Sequence, residues 1–527
     1  MGSGAHLFDD RPTFDFKATD IDGTPHLTFV TNEDLHETDS PGGSAVILND
    51  SYQRVQEVED RAGRGTMNMH EYNTLEEGQR ALTIIFESKL ADLTVDGETQ
   101  KLFIGNNGFA EIQTETGDPV FTWWALDHID PTESLVDQPS GPGSYGSPWD
   151  AYHINSVDKN QHGDYLISAR YTNTIYKVCG KDGRIIWRLG GSKSSFSLKD
   201  FNMSSQHDAR FRSDNDTTVV ITFFNNHSDG HHATAKMSAA MEVALDLSTM
   251  EAHVMRQWDR PDGGLSKLRG NAQSLPNGNM FVCWSENSYM SEHTPEGELV
   301  MQARMASQRL VSYRAYKMNF TARPSEPIAA KAFVFGIDEG SSTTVTYVSW
   351  NGATEVTQWR FFGLRDDQQS TLIGTSNKTG FETMHMSAGA YRQVIAEAMD
   401  AQGKSLGKSE IFSSKLPSSW NGRTPSGTHD AAPPDNSDGA EGLGDVDEQT
   451  SVSEDLSLQL HAVQDPTDRS RINDHGFGQL MLDRHLLVFS VASFATLALS
   501  LYIVRKCRSH RSSLPSATHY KLIGEDV

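Results

Sequence analysis

The chain has 527 residues, with 45 Lys and Arg against 70 Asp and Glu, a formal charge of −25. An acid excess of that size disfavours a nucleic-acid partner, because a phosphate backbone is gripped by a field of Lys and Arg. The three cysteines, Cys179, Cys283 and Cys507, are too few for a disulfide framework, although spacing leaves a Cys179–Cys283 pairing open.

In chain order, residues 1–411 carry short β-branched or aromatic runs separated by Gly, Asp and Asn turns, with almost no long amphipathic helical pattern. The start, "MGSGAHLFDD", lacks a basic region followed by an apolar one and reads like the interior of a domain, so an earlier segment is expected. Residues 14–30 and 44–60 look like part of an earlier unit, which reads as incomplete. A loose repeat then begins. An inner hairpin opens on a polar, often His-containing triplet, at 70–86, 153–170, 207–224 and 270–286. An outer hairpin follows each, at 109–124, 175–191, 243–258 and 291–305. Four short antiparallel strands per unit, repeated, is the logic of a β-propeller. Gly163 and Gly278 sit where the inner hairpins need positive φ. The predicted fold class is therefore all-β: a propeller over 1–342, then closing strands or a small β-sandwich-like module over 343–411.

In a propeller the first strand of each blade lines the central channel, so residues opening successive units converge. These are His70; His153 with Asn155; His207 with Asp208 and Arg210; and Asn271 with Gln273. Arg170 ends the hairpin that His153 opens, and Arg188 follows. Arginine offers a fixed fork of donors to tetrahedral oxyanions. Histidine serves near neutral pH as nucleophile, base or acid. A lone histidine in a turn is ordinarily a surface residue, and three could instead hold zinc. Asp208 and Glu71 leave open a carboxylate pair for glycoside hydrolysis. His227, His231 and His232 in "NNHSDGHH" read as a channel rim or as an ordinary polar loop. There is no G-x-x-x-x-G-K-[ST] phosphate loop, no G-x-S-x-G elbow and no H-E-x-x-H helix.

Beyond the strands, residues 412–483 read as a disordered acidic linker; between Thr424 and Asp468 there are 11 Asp and Glu and no Lys or Arg. Residues 486–504, "LLVFSVASFATLALSLYIV", carry no charge over 19 residues. That length spans a bilayer core of roughly 30 Å as a helix. A transmembrane helix over 484–505 is expected, with Arg505, Lys506, Arg508 and Arg511 in a cytoplasmic tail over 506–527. The N-terminal part then faces a lumen or the exterior, where six N-x-S/T sequons, at Asn49, Asn202, Asn215, Asn226, Asn319 and Asn377, become usable.

The run "WDAYHINSVDKNQHGDYLISARYTNTIYKVCGKDGRIIWRLGG", followed by "FNMSSQHDARF", resembles the arylsulfotransferase family in its fungal or eukaryotic branch. The match extends over most of 12–411 through "MHEYN", "LDHID", "QSLPNGNMFVCW" and "VSWNGATEV". The resemblance implies a six-bladed propeller and transfer of a sulfuryl group from an aryl sulfate to a phenol, with no cofactor, no metal and no nucleotide sulfate donor. Carried over by motif, His207 of "QHDAR" is the nucleophile, and His153 and Asn155 of "HIN" are an anion-binding pair. Arg170 of "SAR" is the arginine, and His70 of "MHEY" a further channel histidine. Trp149 and Tyr152 are candidates to stack on the acceptor ring. Two other readings stand beside this one: a catalytically silent, membrane-anchored propeller that binds a ligand, and a hydrolase passing the same anion to water.

Overall fold

The computed structural model describes Gly4, Phe8, residues 11–420 apart from 33–42, 60–64, 96–97, 140, 308–309 and 365–368, and residues 458–461. The expected linker, apart from those last four residues and 412–420, and the whole expected transmembrane helix and tail, with Cys507, lie outside the described residues. Among the described residues no helix is long and apolar enough to cross a membrane.

The protein is predominantly β, in several distinct sheets. Four-stranded antiparallel meanders follow one another. The first, expected to be incomplete, has all four strands: β1 (Thr13–Ile21), β2 (Thr24–Asn32), β3 (Gly43–Leu48) and β4 (Arg54–Val58). The second is β5 (Thr66–Leu75), β6 (Arg80–Val95), β7 (Glu98–Gln113) and β8 (Pro119–Trp124), joined to the first through the single pair Gly43–Met67. The third is β9 (Ile154–Lys159), β10 (Tyr165–Ala169), β11 (Thr174–Val178) and β12 (Ile185–Gly190). A short strand, β13 (Ser197–Lys199), edges the fourth: β14 (His207–Asp214), β15 (Thr218–Asn225), β16 (Ala239–Asp246) and β17 (Glu251–Asp259). The fifth is β18 (Asn271–Ser274), β19 (Met280–Cys283), β20 (Met290–His293) and β21 (Leu299–Met305). The hairpins fall where the turn chemistry puts them, with Gly163 and Gly278 both at φ 88°. Five such meanders stand among the described residues, against the six blades the resemblance implies.

The meanders pack face to face in chain order. Tyr72, Ile85 and Trp124 of the second share a core with Val30 and Ile47 of the first. Phe109 and Trp123 pack with Ile167 and Tyr176 of the third. Leu166 and Ile175 pack with Phe223 and Val243 of the fourth. Phe224 and Trp258 pack with Val282 and Trp284 of the fifth. Middle strands are covered on both faces, which is why "YLISA" of β10 and "TIYKV" of β11 are buried throughout. Outer strands such as β17, "EAHVMRQWD", keep an exposed face.

After the fifth meander, the segment Tyr313–Lys317 binds its first strand side chain to backbone. Asn271 exchanges two hydrogen bonds with Ala315, at 2.9 and 3.0 Å, and Gln273 two with Lys317, at 3.1 and 2.8 Å. Arg314 and Tyr316 of the same segment reach Asp15 on β1.

A two-layer sandwich follows. One sheet is β22 (Ala329–Phe335), β23 (Thr343–Ser349) and β26 (Glu382–Ala388). The other is β24 (Gln358–Leu364), β25 (Ser370–Asn377), β27 (Gln393–Met399) and β28 (Ser405–Lys408), with β29 (Phe412–Ser413) against β27. Ile328, Trp350, Trp359 and Phe361 fill the space between the layers. Since β22 pairs with β23, the module starts before residue 343, where the sequence put its boundary. A four-residue strand, β30 (Leu458–His461), pairs with β21.

Candidate active site

The first strands of the meanders carry buried polar residues, among them His70, Glu71, Asn155, His207, Asp208 and Asn271. In four of the five, the ladder slips where they occur: between Phe14 and Lys17 on β1, Met67 and Tyr72 on β5, Ile154 and Ser156 on β9, and His207 and Arg210 on β14. A bulge re-aims a side chain out of the sheet's alternation. Asp15, His153, Asp208 and Arg269 stand at φ 53°, 50°, 58° and 62°, in or just before four of these strands. Such a non-glycine conformation costs on the order of 1–3 kcal/mol and persists only where the surroundings enforce it.

Three histidines meet there. The His70 and His153 rings lie edge to face with centroids 4.9 Å apart. The charges of His153 and His207 both act on His70, and those of Arg170 and His153 on His207. Each ring is anchored through Nδ1: His70 to Asn68 Oδ1, His153 to Asp150 Oδ2 at 2.7 Å, and His207 to Asn226 Oδ1 at 2.7 Å and the Ser205 carbonyl at 3.0 Å. Because these are acceptors, each ring carries its proton on Nδ1 and turns Nε2 outward. Burial lowers the His207 pKa well below its usual value, and Arg170 pushes it further, so the ring is neutral at pH 7. Burial and His153 do the same to His70.

Arg170 follows β10, and its backbone N–H donates to the His153 carbonyl at 3.0 Å, which brings the hairpin's two ends together. Its guanidinium is buried, donates to the Lys267 carbonyl at 3.0 Å, lies over the Tyr171 ring, and has no partner for Nε. Asn155 is fully buried on β9, and its amide donates to the Gln206 carbonyl at 2.9 Å, one residue before His207. Its side-chain contact is therefore with the backbone just before His207, and its Oδ1 has no partner.

Beneath the histidines lies a buried cluster of charges. Glu71 binds Arg210 at 2.7 Å, Arg314 at 3.0 Å and Lys17 at 3.2 Å. Asp15 binds Lys17 at 2.7 Å and Arg314 at 3.0 Å, and Asp208 binds Arg210 at 2.6 Å. Three carboxylates thus face three cations, a neutral set from β1, β5, β14 and the 313–317 segment. Arg314 also donates to the Asn155 carbonyl of β9, and Asp208 accepts from the Ala272 N–H of β18. All five first strands are tied to this cluster. Burial alone would raise the Glu71 pKa; Arg210, Arg314 and Lys17 outweigh it and hold the carboxyl far below the carboxylate range. Glu71 is thus no proton donor, which removes the Asp208–Glu71 glycosidase pair.

Several expected residues lie elsewhere. Arg188 is on the outer strand β12, 3.9 Å from Glu133. Tyr152 is fully buried, with its hydroxyl on the Ile129 carbonyl, and Trp149 belongs to the same core cluster. The aromatics at the histidines are instead Tyr171, 4.7 Å from His153, and Tyr313, 5.7 Å from His70. His227 is buried, its pKa lowered to about 4 by desolvation, while His231 and His232 are exposed. Among the described residues no group of three or more His, Cys, Asp or Glu is placed to hold a metal ion. Cys179 and Cys283 are both free. A cavity of about 660 Å³ lies away from the histidines, lined by Phe16, Phe29, Tyr52 and Phe320 where the first meander meets the sandwich.

Sequence reasoning missed Arg314, Asp15, Asn226 and Asp150. Asn226 falls in the loop read as a rim, and Arg314 in a stretch, "RLVSYRAYKMNF", with no hairpin pattern.

Comparison with solved structures gives remote similarity. A protein of unknown function from Bacteroides caccae is 12% identical over 55% of this chain and 81% of its own, with a TM-score of 0.31. A glycoside hydrolase is 8% identical over 76% and 97%, at 0.25, and the Dos1 propeller 9% identical over 72% and 68%, at 0.27. Among curated proteins none matches. The family model for arylsulfotransferase matches residues 32–306, which hold His70, His153, Asn155, Arg170 and His207. That span is more than half the chain and takes in four of the five first strands: this protein belongs to the arylsulfotransferase family.

Proposed function

We propose that the protein moves a sulfuryl group from an aryl sulfate to a phenolic acceptor through a sulfohistidine on His207. The observation that carries this is the state of that ring: buried, neutral, with Nδ1–H held on two oxygens, Nε2 bare and the Arg170 charge beside it. His207 Nε2 attacks sulfur in line with the aryl oxygen, and the S–O bond breaks as the N–S bond forms. Arg170 stabilises the sulfuryl oxygens while charge moves onto the leaving group. His153, with the Asp150 carboxylate holding its Nδ1, is the proton donor: it gives an Nε2 proton to the departing phenolate. A second phenol returns that proton to His153 and takes the sulfuryl group by the reverse path, a ping-pong cycle.

The wider reading is a ring of sheets, a propeller in which the 313–317 segment stands where a sixth sheet would. It is held by a C-terminal membrane helix with the catalytic part lumenal or extracellular. Serial face-to-face packing, and the bonds from that segment to both the fifth and the first meander, support the ring. The uncharged run at 486–504 supports the anchor.

The test uses the full chain with an aryl sulfate, a phenol and no nucleotide. Transfer and an acid-labile sulfuryl adduct are expected, and both vanish in His207→Ala. Arg170→Ala lowers the rate by about 10²–10³-fold, the size of losing one strong oxyanion donor. Unchanged turnover in His207→Ala removes the mechanism. Release of free sulfate whether or not a phenol is present marks a hydrolase.

A further inference from the structure

We propose that Asn226 is the positioning residue that fixes the tautomer of His207, and that the strap Ser266–Arg269 holds Asn226 and Arg170 in one mutual geometry. The proposal rests on the sulfuryl-transfer reading for its rate effects, and on the hydrogen bonds alone for the tautomer.

Asn226 follows β15, and its backbone register sets it beside His207, which pairs with Phe224 across the β14–β15 hairpin. The side chain is fully buried. Its Nδ2 donates to two carbonyls, Ser266 and Arg269, each at 3.0 Å. Those two acceptors settle which way the amide points. Reversed, Oδ1 would face both carbonyls, and NH2 would face a ring nitrogen that already has an acceptor on its other side. The amide oxygen therefore faces His207 Nδ1 at 2.7 Å. The Lys267 carbonyl between the two anchoring residues accepts from Arg170. The strap is pinned in turn: Ser266 Oγ donates to the Trp284 carbonyl, its N–H donates to Ser238 Oγ, and Ser238 Oγ donates to the Asn226 carbonyl. One loop, the link between β17 and β18, thus fixes the nucleophile's partner and the anion's arginine together.

The choice of an amide has a chemical reason. As Nε2 bonds to sulfur, positive charge spreads over the ring, and the Nδ1–H bonds to Asn226 and Ser205 strengthen. A carboxylate in place of the amide would stabilise that charge too early: it would favour the imidazolium before attack and put a proton on Nε2. His153, which in this scheme delivers a proton from Nε2, has a carboxylate on Nδ1; His207, whose Nε2 must be bare, has an amide. The partner atoms divide the two rings into proton carrier and nucleophile.

The experiment labels the histidines of the full chain with ¹⁵N and reads the His207 ring signals, assigned by their loss in His207→Ala, beside transfer kinetics with an aryl sulfate and a phenol. In the native chain at pH 7, one nitrogen is protonated and one bare. In Asn226→Asp both are protonated at pH 7. Transfer falls by about 10- to 100-fold, the range seen when an orienting partner is lost, and recovers as pH rises toward about 9. Asn226→Ala gives averaged tautomer signals and a similar fall in kcat, with KM within about threefold. Should the alanine variant not fold, the near-isosteric aspartate variant alone decides. A native ring signature and native pH profile in Asn226→Asp overturn the proposal. If no chain transfers sulfuryl, native included, the enzymatic reading fails while the ring signals still test the tautomer.

Discussion

The meanders and the C-terminal sandwich are built of the same strands and turns, yet they treat charge and strain oppositely. Every non-glycine residue at positive φ among the described residues lies between Asp15 and Ser288, and none lies in the sandwich. The sandwich has one buried charged side chain, Glu397, whereas the first strands of the meanders bury Asp15, Lys17, Glu71 and Asp208, and the 313–317 segment buries Arg314 against them. A β-sheet that only has to be stable alternates regularly and keeps charges in water. One that must aim polar groups at a common point pays in bulges and left-handed residues, and needs ion pairs to hold them. The charge cluster is thus the frame on which the histidines are set.

The largest expected effect follows from removing the cluster's central cation. Arg314 is fully buried and contacts Asp15, Glu71 and the Asn155 carbonyl. Arg314→Met fits the stem but leaves two carboxylates short of a partner. Breaking one side of a buried pair typically costs about 3–5 kcal/mol. Urea unfolding is the measurement. A loss below about 1 kcal/mol would mean that the cluster does not hold the first strands together.

Much of this frame was legible in outline. The eight predicted inner and outer hairpins are present because their turn residues and β-branched runs are local signals, and so are the four polar openings at 70, 153, 207 and 270. The partners of those openings were not legible. Asp15 meets Arg314 across 299 residues, and Glu71 meets Arg210 across 139. No periodicity reports a pairing between side chains so far apart in the chain. Asn155 was placed in an anion-binding pair by the resemblance of its motif; the bond its amide donates to the Gln206 carbonyl was not legible, because spacing reports no contact across 51 residues. The boundary at 343 failed for a similar reason: a strand looks the same in sequence whether its partner is in a meander or in a sandwich.

A second consequence is pH dependence. The Glu71 pKa is depressed in the folded protein, so its contribution is fully present above the unfolded carboxylate value of about 4.3. It is lost as pH falls from there through the folded value. Unfolding midpoints in urea, measured from about pH 5 down to pH 3, should fall steeply. In Glu71→Gln, which carries no titrating group there, the slope should be shallower. Equal slopes in the two proteins would place the acid sensitivity elsewhere.

The smallest effect is expected in the sandwich, and it sharpens the contrast. Glu397 on β27 faces Lys408 on β28 at 3.6 Å, but the lysine side chain is 58% exposed. Its ammonium stays hydrated whether or not the carboxylate is there, so the pair gains little over water. Glu397→Gln keeps shape and a hydrogen-bonding oxygen while removing the charge. The change in stability should lie within about 0.5 kcal/mol, a shift in urea midpoint far smaller than that of Arg314→Met measured alongside. The two substitutions each remove one charge from one ion-paired side chain, so their ratio isolates burial and connectivity. If Glu397→Gln proved as costly as Arg314→Met, buried charge would not be a special feature of the meanders, and the case for a frame beneath the histidines would lose its energetic basis.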